Sequence, residues 1–304
     1  MKRLSTTAVF QNKCALLLLV LFTSNQIFAC DVCSCGSSSS SSFANGISGS
    51  FLGLSYNYMH FVFKEGISTN SPEGNDYINS IAITGQYQIS ERIRINAMVP
   101  YRFNYRRNSS HEAIDNSGLG DMSVYGLYSV LANESAHKLR IGAGLKMPTG
   151  RFNENSTSAN NTSATQLGTG SWDVIFPVQY EYTIKDFSLN FGAVYFVKNK
   201  NEATFKFGNQ TQLNLGVSYA FSLNDRFILA PLAGINYDSF AATEQYNIKD
   251  ERTSGFMSNA TIGLQFQTEK MIIGINSQLP LKQNLIEKEV HFQQGVSLYT
   301  YWRF

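Results

Sequence analysis

Along most of this chain, apolar and polar residues alternate one for one. Between Arg92 and Arg106 one parity carries Ile93, Ile95, Ala97, Val99, Tyr101, Phe103 and Tyr105, and the other carries Arg92, Arg94, Asn96, Arg102 and Asn104. A helix would scatter those arginines around its circumference, whereas a strand sets them on one side. The same period runs through Leu213, Leu215, Val217, Tyr219 and Phe221 against Asn214, Gly216, Ser218 and Ala220. Phe187, Leu189, Phe191, Ala193, Tyr195 and Val197 repeat it against Ser188, Asn190 and Gly192. About twelve such segments are predicted, at 51–62, 77–89, 92–106, 120–131, 138–148, 171–184, 186–198, 204–221, 226–238, 254–267, 269–279 and 290–304.

Their connections alternate in length. Ser90-Glu91, Lys185, Asn224-Asp225 and Thr268-Glu269 make tight turns, and Asn133 to Ala136 a modest one. Between them fall 63–76, 107–119, 149–170, 199–203, 239–253 and 280–289, mostly long and polar. Short periplasmic turns alternating with longer external loops are the rule for bacterial barrels, whose strands face lipid on one side and water on the other. The expected fold class is therefore all-β, a closed antiparallel transmembrane β-barrel of about twelve strands. A secreted β-sandwich also alternates, but it does not call for the loop pattern.

The last segment reads Val290, Phe292, Val296, Leu298, Trp302 and Phe304 on the lipid parity, with His291, Gln293, Gly295, Ser297 and Arg303 on the other. A strand ending on an aromatic residue resembles the signal read by the outer-membrane barrel-assembly machinery, which makes that machinery, through Phe304, and outer-membrane lipid the expected partners. An even strand count returns Phe304 to the periplasmic end.

The first residues have another character. Lys2, Arg3 and Lys13 precede an apolar run from Ala15 to Phe22, and small Ala29 closes a secretory signal over 1–29. No later stretch is apolar for the ~18 residues that a spanning helix needs. Residues 30–50 form a head and tether, with Cys30, Cys33 and Cys35 ahead of the six serines Ser37 to Ser42, and 51–304 form the barrel. Three thiols beside Asp31 suit a soft ion such as Cu(I) or Zn(II), although a fourth tetrahedral ligand is missing. A disulfide is the rival in an oxidising compartment. Lipidation at Cys30 is a third outcome, and bulky Phe28 departs from the small residues that a lipoprotein signal wants.

Charge narrows the function classes. The chain has 24 Lys+Arg and 22 Asp+Glu, and losing Lys2, Arg3 and Lys13 with the signal leaves 21 against 22. That balance argues against nucleic-acid binding, which requires a basic face. The chain also carries no Gly-x-Ser-x-Gly elbow and no His-Glu-x-x-His pair. His60, His111, His137 and His291 sit in no nucleophile motif, so no enzyme is expected.

Four pieces of sequence stand in register along the chain: Pro100-Tyr101, Ser117-Gly118-Leu119-Gly120-Asp121, Leu145-Lys146-Met147-Pro148-Thr149-Gly150, and Leu167-Gly168-Thr169-Gly170-Ser171-Trp172-Asp173. In that order they resemble the outer-membrane barrel family named for the meta-cleavage pathway of phenol degradation, most densely over 92–184. The resemblance implies a closed barrel in the bacterial outer membrane and passage of small, including hydrophobic, molecules; it does not imply phenol. Gly118, Gly120, Asp121, Pro148, Gly150, Gly170 and Asp173 are then expected at the outer mouth, more as strand starts and loop anchors than as ligand contacts.

The inward parity holds Arg94, Arg102, Arg140, Lys146 and Lys206, with Glu181 as the clearest acid. Positive charge around a water-filled path favours anions, unless those groups pair with Glu181, Asp121 or loop acids and brace the barrel. The expected function is that of a channel or transporter passing a small solute across the outer membrane. The alternatives are a metal-handling protein using Cys30, Cys33 and Cys35, and a scaffold or adhesin that moves nothing.

Overall fold

The computed structural model describes residues 49–64, 72–109, 113–131, 136–152, 166–286 and 289–304. The signal and the Cys30–Cys35 head lie outside the described residues. The strands are β1 (Phe51–Lys64), β2 (Glu73–Gln88), β3 (Ile93–Arg107), β4 (Ala113–Leu119), β5 (Met122–Ser129), β6 (His137–Met147), β7 (Asp173–Ile184), β8 (Phe187–Val197), β9 (Phe205–Lys206), β10 (Gln210–Tyr219), β11 (Phe221–Asn224), β12 (Phe227–Phe240), β13 (Thr243–Gln245), β14 (Ile248–Asp250), β15 (Gly255–Gln267), β16 (Met271–Leu285) and β17 (Val290–Arg303). No helix among the described residues is long and apolar enough to cross a membrane.

Twelve barrel staves result, because β4 and β5 both pair with β3, and β10 and β11 both pair with β12. Every pairing is antiparallel, and β1 on β17 closes the ring. One circuit demonstrates the closure. From Gln86 on β2, partner residues lead through Asn96, Tyr125, Gly144, Ile175, Phe196, Gln210, Phe240, Gly255, Leu285, Val290 and Phe63, and return to β2 at Gly74, twelve residues away. A shear equal to the strand number tilts the staves by about 35° and sets a backbone radius of about 11 Å.

Turn chemistry explains the short-turn end. Ser90 Oγ accepts from Ile93 N at 3.1 Å, Asn224 Oδ1 accepts from Arg226 N and Phe227 N at 2.9 and 3.0 Å, and Thr268 Oγ1 accepts from Met271 N at 2.9 Å. Such side-chain acceptors stand in for a backbone turn and hold the chain reversal tight. Lys185 reverses the chain with φ 51. The outward face is a band of Leu54, Ile83, Ile95, Val124, Ile141, Phe176, Leu215, Ile235, Ile262, Ile275 and Leu298, all substantially exposed. Exposed apolar area of this extent around a whole barrel has one stable environment, the hydrocarbon of a membrane.

All twelve predicted segments are strands, with these corrections. The predicted loop 107–119 is largely strand, because β4 (Ala113–Leu119) pairs along the outer end of β3. Segment 204–221 is divided: β9 leaves the barrel and joins β13 and β14 in a small separate sheet at the long-loop end. Lys206, expected to face the lumen, lies in β9 opposite Glu244 and is not on the barrel wall. β16 runs to Leu285 through residues read as loop 280–289. In β17 the register on β1 shifts between His60 and Phe61, so Phe292 pairs with Phe61 and Gln294 with His60. That extra residue turns Val290 and Phe292 inward, to 7% and 0% exposure, although their parity had set them in lipid.

Candidate functional site

Inside the barrel the two walls differ. On β2 to β8 the inward positions carry charge. Arg106 makes a bidentate pair with Asp76, Nε to Oδ1 at 2.7 Å and Nη2 to Oδ2 at 2.5 Å, both residues fully buried. The Phe63 ring covers that guanidinium at 4.1 Å. Lower on the wall, Glu181 receives Lys138 at 2.9 Å and Arg140 at 3.5 Å. Arg94 and Arg102 are buried on the same face of β3.

Toward the long-loop end, Lys146 sits between two aspartates, 2.5 Å from Asp121 and 2.8 Å from Asp173, and Lys198 lies 3.6 Å from Asp173. Asp121 occupies the break between β4 and β5, and its Oδ2 accepts from Thr169 N and Thr169 Oγ1, both at 2.8 Å, while Oδ1 accepts from Gly150 N at 3.0 Å. Asp173 accepts from Ser171 Oγ at 2.8 Å and Asn199 N at 3.0 Å. Gly150 and Gly168 press backbone against backbone here, and a Cβ on Gly168 would collide with Asp121 and Gly150. Gly170 takes φ 68 beside Asn201. The sequence motifs thus converge into one buried knot that ties both ends of the connection after β6 to the rim. Gly118 and Gly120 lie against Leu167, and Pro148 leads from β6 into the knot.

The opposite wall is apolar in its outer half. Met59, Phe61, Phe63, Phe240, Met257, Leu285, Val290 and Phe292 form one buried cluster with Ile78 and Ile286 against it. At the short-turn end Phe51, Ile272, Tyr299 and Tyr301 form a second cluster. Between these lies a polar zone that includes Asn57, Asn96, Asn236, Asn259, Thr261 and Gln265. The side-chain amides of Asn57 and Asn259 bond no protein group, and buried amides of this kind are ordinarily satisfied by water.

Residues 52–279 match the family described as "Putative MetA-pathway of phenol degradation". The chain belongs to this family. Among solved structures, the family barrel is similar to an outer membrane channel from Pseudomonas putida, with 15% identity, a TM-score of 0.63, and coverage of 85% of this chain and 96% of that one. It is also similar to the beta domain of the Bordetella autotransporter BrkA, with 9% identity, a TM-score of 0.52, and coverage of 85% and 100%. No curated protein matches it. The shared fold and the lipid-facing band place the family barrel in the outer membrane.

Sequence reasoning named Arg94, Arg102, Arg140, Lys146 and Glu181, and all five are buried on inward faces of the barrel wall. It missed Asp76, Arg106, Lys198 and Asp238. Arg106 shares parity with Arg94 and Arg102, so the signal for it was present. Asp76 falls in the predicted loop 63–76, and Lys198 stands one residue beyond β8. Two histidines bond locally: His60 stacks on Tyr77 at 4.8 Å and meets Asn75 at 2.8 Å, and His137 stacks on Tyr182 at 4.6 Å; His111 lies outside the described residues.

Proposed function

We propose that the family barrel passes small solutes across the outer membrane along a hydrated axial path that prefers anions. One observation carries the reading: among the described inward-facing residues, cations outnumber acids. Arg94, Arg102, Arg106, Lys138, Arg140, Lys146 and Lys198 stand against Asp76, Asp121, Asp173, Glu181 and Asp238. Ion pairing cancels charge one for one and so leaves this excess of cations intact, and the excess lowers the energy of an anion in the lumen. The polar zone around Asn57 and Asn259 supports a wet path through the middle of the barrel.

The test is swelling of liposomes that contain the purified protein, in paired small solutes of equal size and opposite charge. Faster entry of the anion is expected. Equal exclusion of both solutes would favour the scaffold alternative, and faster entry of the cation would overturn the preference.

A further inference from the structure

Charge is divided unevenly between the two walls of the lumen. The wall from β2 to β8 carries Arg94, Arg102 and Arg106 along the inward face of β3, whereas β10 to β17 and β1 hold a single buried charged residue among those described, Asp238 on β12. Side chains of Gln212, its partner across the ladder, and of Gln210 bond to the Asp238 carboxylate. No lysine or arginine among the described residues forms an ion pair with it. On its other flank an amide stands open. Asn236 Nδ2 donates diagonally to Thr261 Oγ1 at 2.6 Å, and the same diagonal from Asp238 leads to Asn259, whose buried amide nitrogen and oxygen bond no protein group. A carboxylate and an amide oxygen thus lie on neighbouring positions of one sheet face, both acceptors for a group rich in N–H donors, as an ammonium is.

The register sets Arg102 across the lumen from this pair. β12 and β3 are six staves apart in a ring of twelve. Six steps through Met257, Gln283, Phe292, Phe61 and Asp76 lead from Asp238 to Arg106. Six steps the other way, through Gln212, Val194, Pro177, Gly142 and Leu127, lead to Arg94. In a tilted barrel one direction climbs as far as the other descends, so the height of Asp238 meets β3 midway between Arg94 and Arg106, beside Arg102. Opposite backbones about 22 Å apart leave roughly 12 Å between the guanidinium and the carboxylate.

We propose that Asp238 and Arg102 form a transverse charge pair that favours small zwitterionic solutes, drawing the ammonium end to Asp238 and Asn259 and the carboxylate end to Arg102. The pair acts within the axial path and rests on that reading, and it sets a solute class: short peptides and amino acids whose two charges stand several ångströms apart. A field directed across the path orients such a molecule and lowers its energy although its net charge is zero. An uncharged solute of the same size gains little from that field. The excess of lumen cations acts separately, on net charge, and still favours an anion over a cation.

The experiment follows swelling of liposomes that contain the purified full-length protein, at neutral pH, in four solutes of nearly equal size: zwitterionic glycylglycine, uncharged N-acetylglycinamide, anionic N-acetylglycinate and cationic glycylglycinamide. Glycylglycine is expected to enter roughly two- to fivefold faster than N-acetylglycinamide, the gain that a hydrated charge pair supplies. Asp238→Asn and Arg102→Gln should each bring that ratio toward one, and Asp238→Glu should keep it, with the heat-modifiable shift on gels verifying the fold of each variant. Where Asp238→Asn does not fold, the wild-type ratio and Arg102→Gln decide. A wild-type ratio near one overturns the transverse pair, as does a wild-type ratio retained in folded Asp238→Asn. Faster entry of N-acetylglycinate than of glycylglycinamide would leave the axial anion path standing through that failure, whereas exclusion of all four solutes overturns both.

Discussion

The ring of Tyr301 lies where a side chain on Gly53 would have to be. The two residues are register partners on β17 and β1, the pair of strands that closes the barrel, and a Cβ on Gly53 would overlap the ring. Tyr299 on Gly274 and Phe63 on Gly74 repeat the arrangement. Each glycine gives up a side chain so that an aromatic ring can lie flat across the neighbouring strand and fill the interior near the seam of closure.

Gly53→Val is therefore expected to weaken closure by overpacking, by about 1–3 kcal/mol. Adding Tyr301→Ala should recover part of that loss. The check is the heat-modifiable shift of the folded barrel on gels, followed across temperature for the single and double variants.

The knot at the rim predicts strong coupling between Lys146 and Asp121. Lys146→Met leaves Asp121 and Asp173 buried without their shared cation, and removing one partner of a buried pair costs about 3–5 kcal/mol. Combining Lys146→Met with Asp121→Asn should cost less than the two single changes added together. A double-mutant cycle from denaturant unfolding measures the difference.

Glu181 offsets Lys138 and Arg140 in the lumen. Glu181→Gln should increase anion preference and Arg140→Gln should decrease it, because each changes the interior charge in the stated direction. The readout is the reversal potential of each variant relative to wild type.

The small sheet of β9, β13 and β14 is pinned by exposed ion pairs. Lys200 beside Glu244 holds that carboxyl below its ordinary 4.5, and Arg252 beside Asp250 holds the other below 3.8. For depressed carboxyls, the stabilisation is present above the unfolded-state values and is lost as pH falls through the folded-state values. Protection of the amides in Thr243–Asp250, taken relative to the intrinsic exchange rate at each pH, should therefore hold at neutral pH and fall only in acid below the ordinary carboxylate range. The loss should be modest, since exposed pairs contribute little.

Period-two alternation made the staves legible, because a wall with lipid outside and water inside imposes it residue by residue. It misled where the wall itself departs from that rule. Val290 and Phe292 carry the lipid parity and still face inward, since a one-residue bulge in β17 reverses the side that each residue faces. Pro280, Lys282, Gln283 and Asn284 read as loop because they break alternation, and they do so where the pairing of β16 with β17 is interrupted. Lys206 kept the parity of a lumen residue in a segment that leaves the barrel. The rim motifs marked where the chain re-enters the sheet. The joining of Asp121, Lys146, Thr169 and Asp173 into one knot depends on the register of β5, β6 and β7, which sets Lys146 opposite Ser123 on one side and Asp173 on the other, and on the loop that returns Thr169 to Asp121.

A conducting, anion-preferring lumen is open to direct measurement. Purified full-length protein in a planar bilayer under a salt gradient tests it most directly. Steady conductance with a reversal potential displaced toward that of the anion is expected; a bilayer that stays sealed, or a displacement toward the cation, would overturn the anion-preferring path.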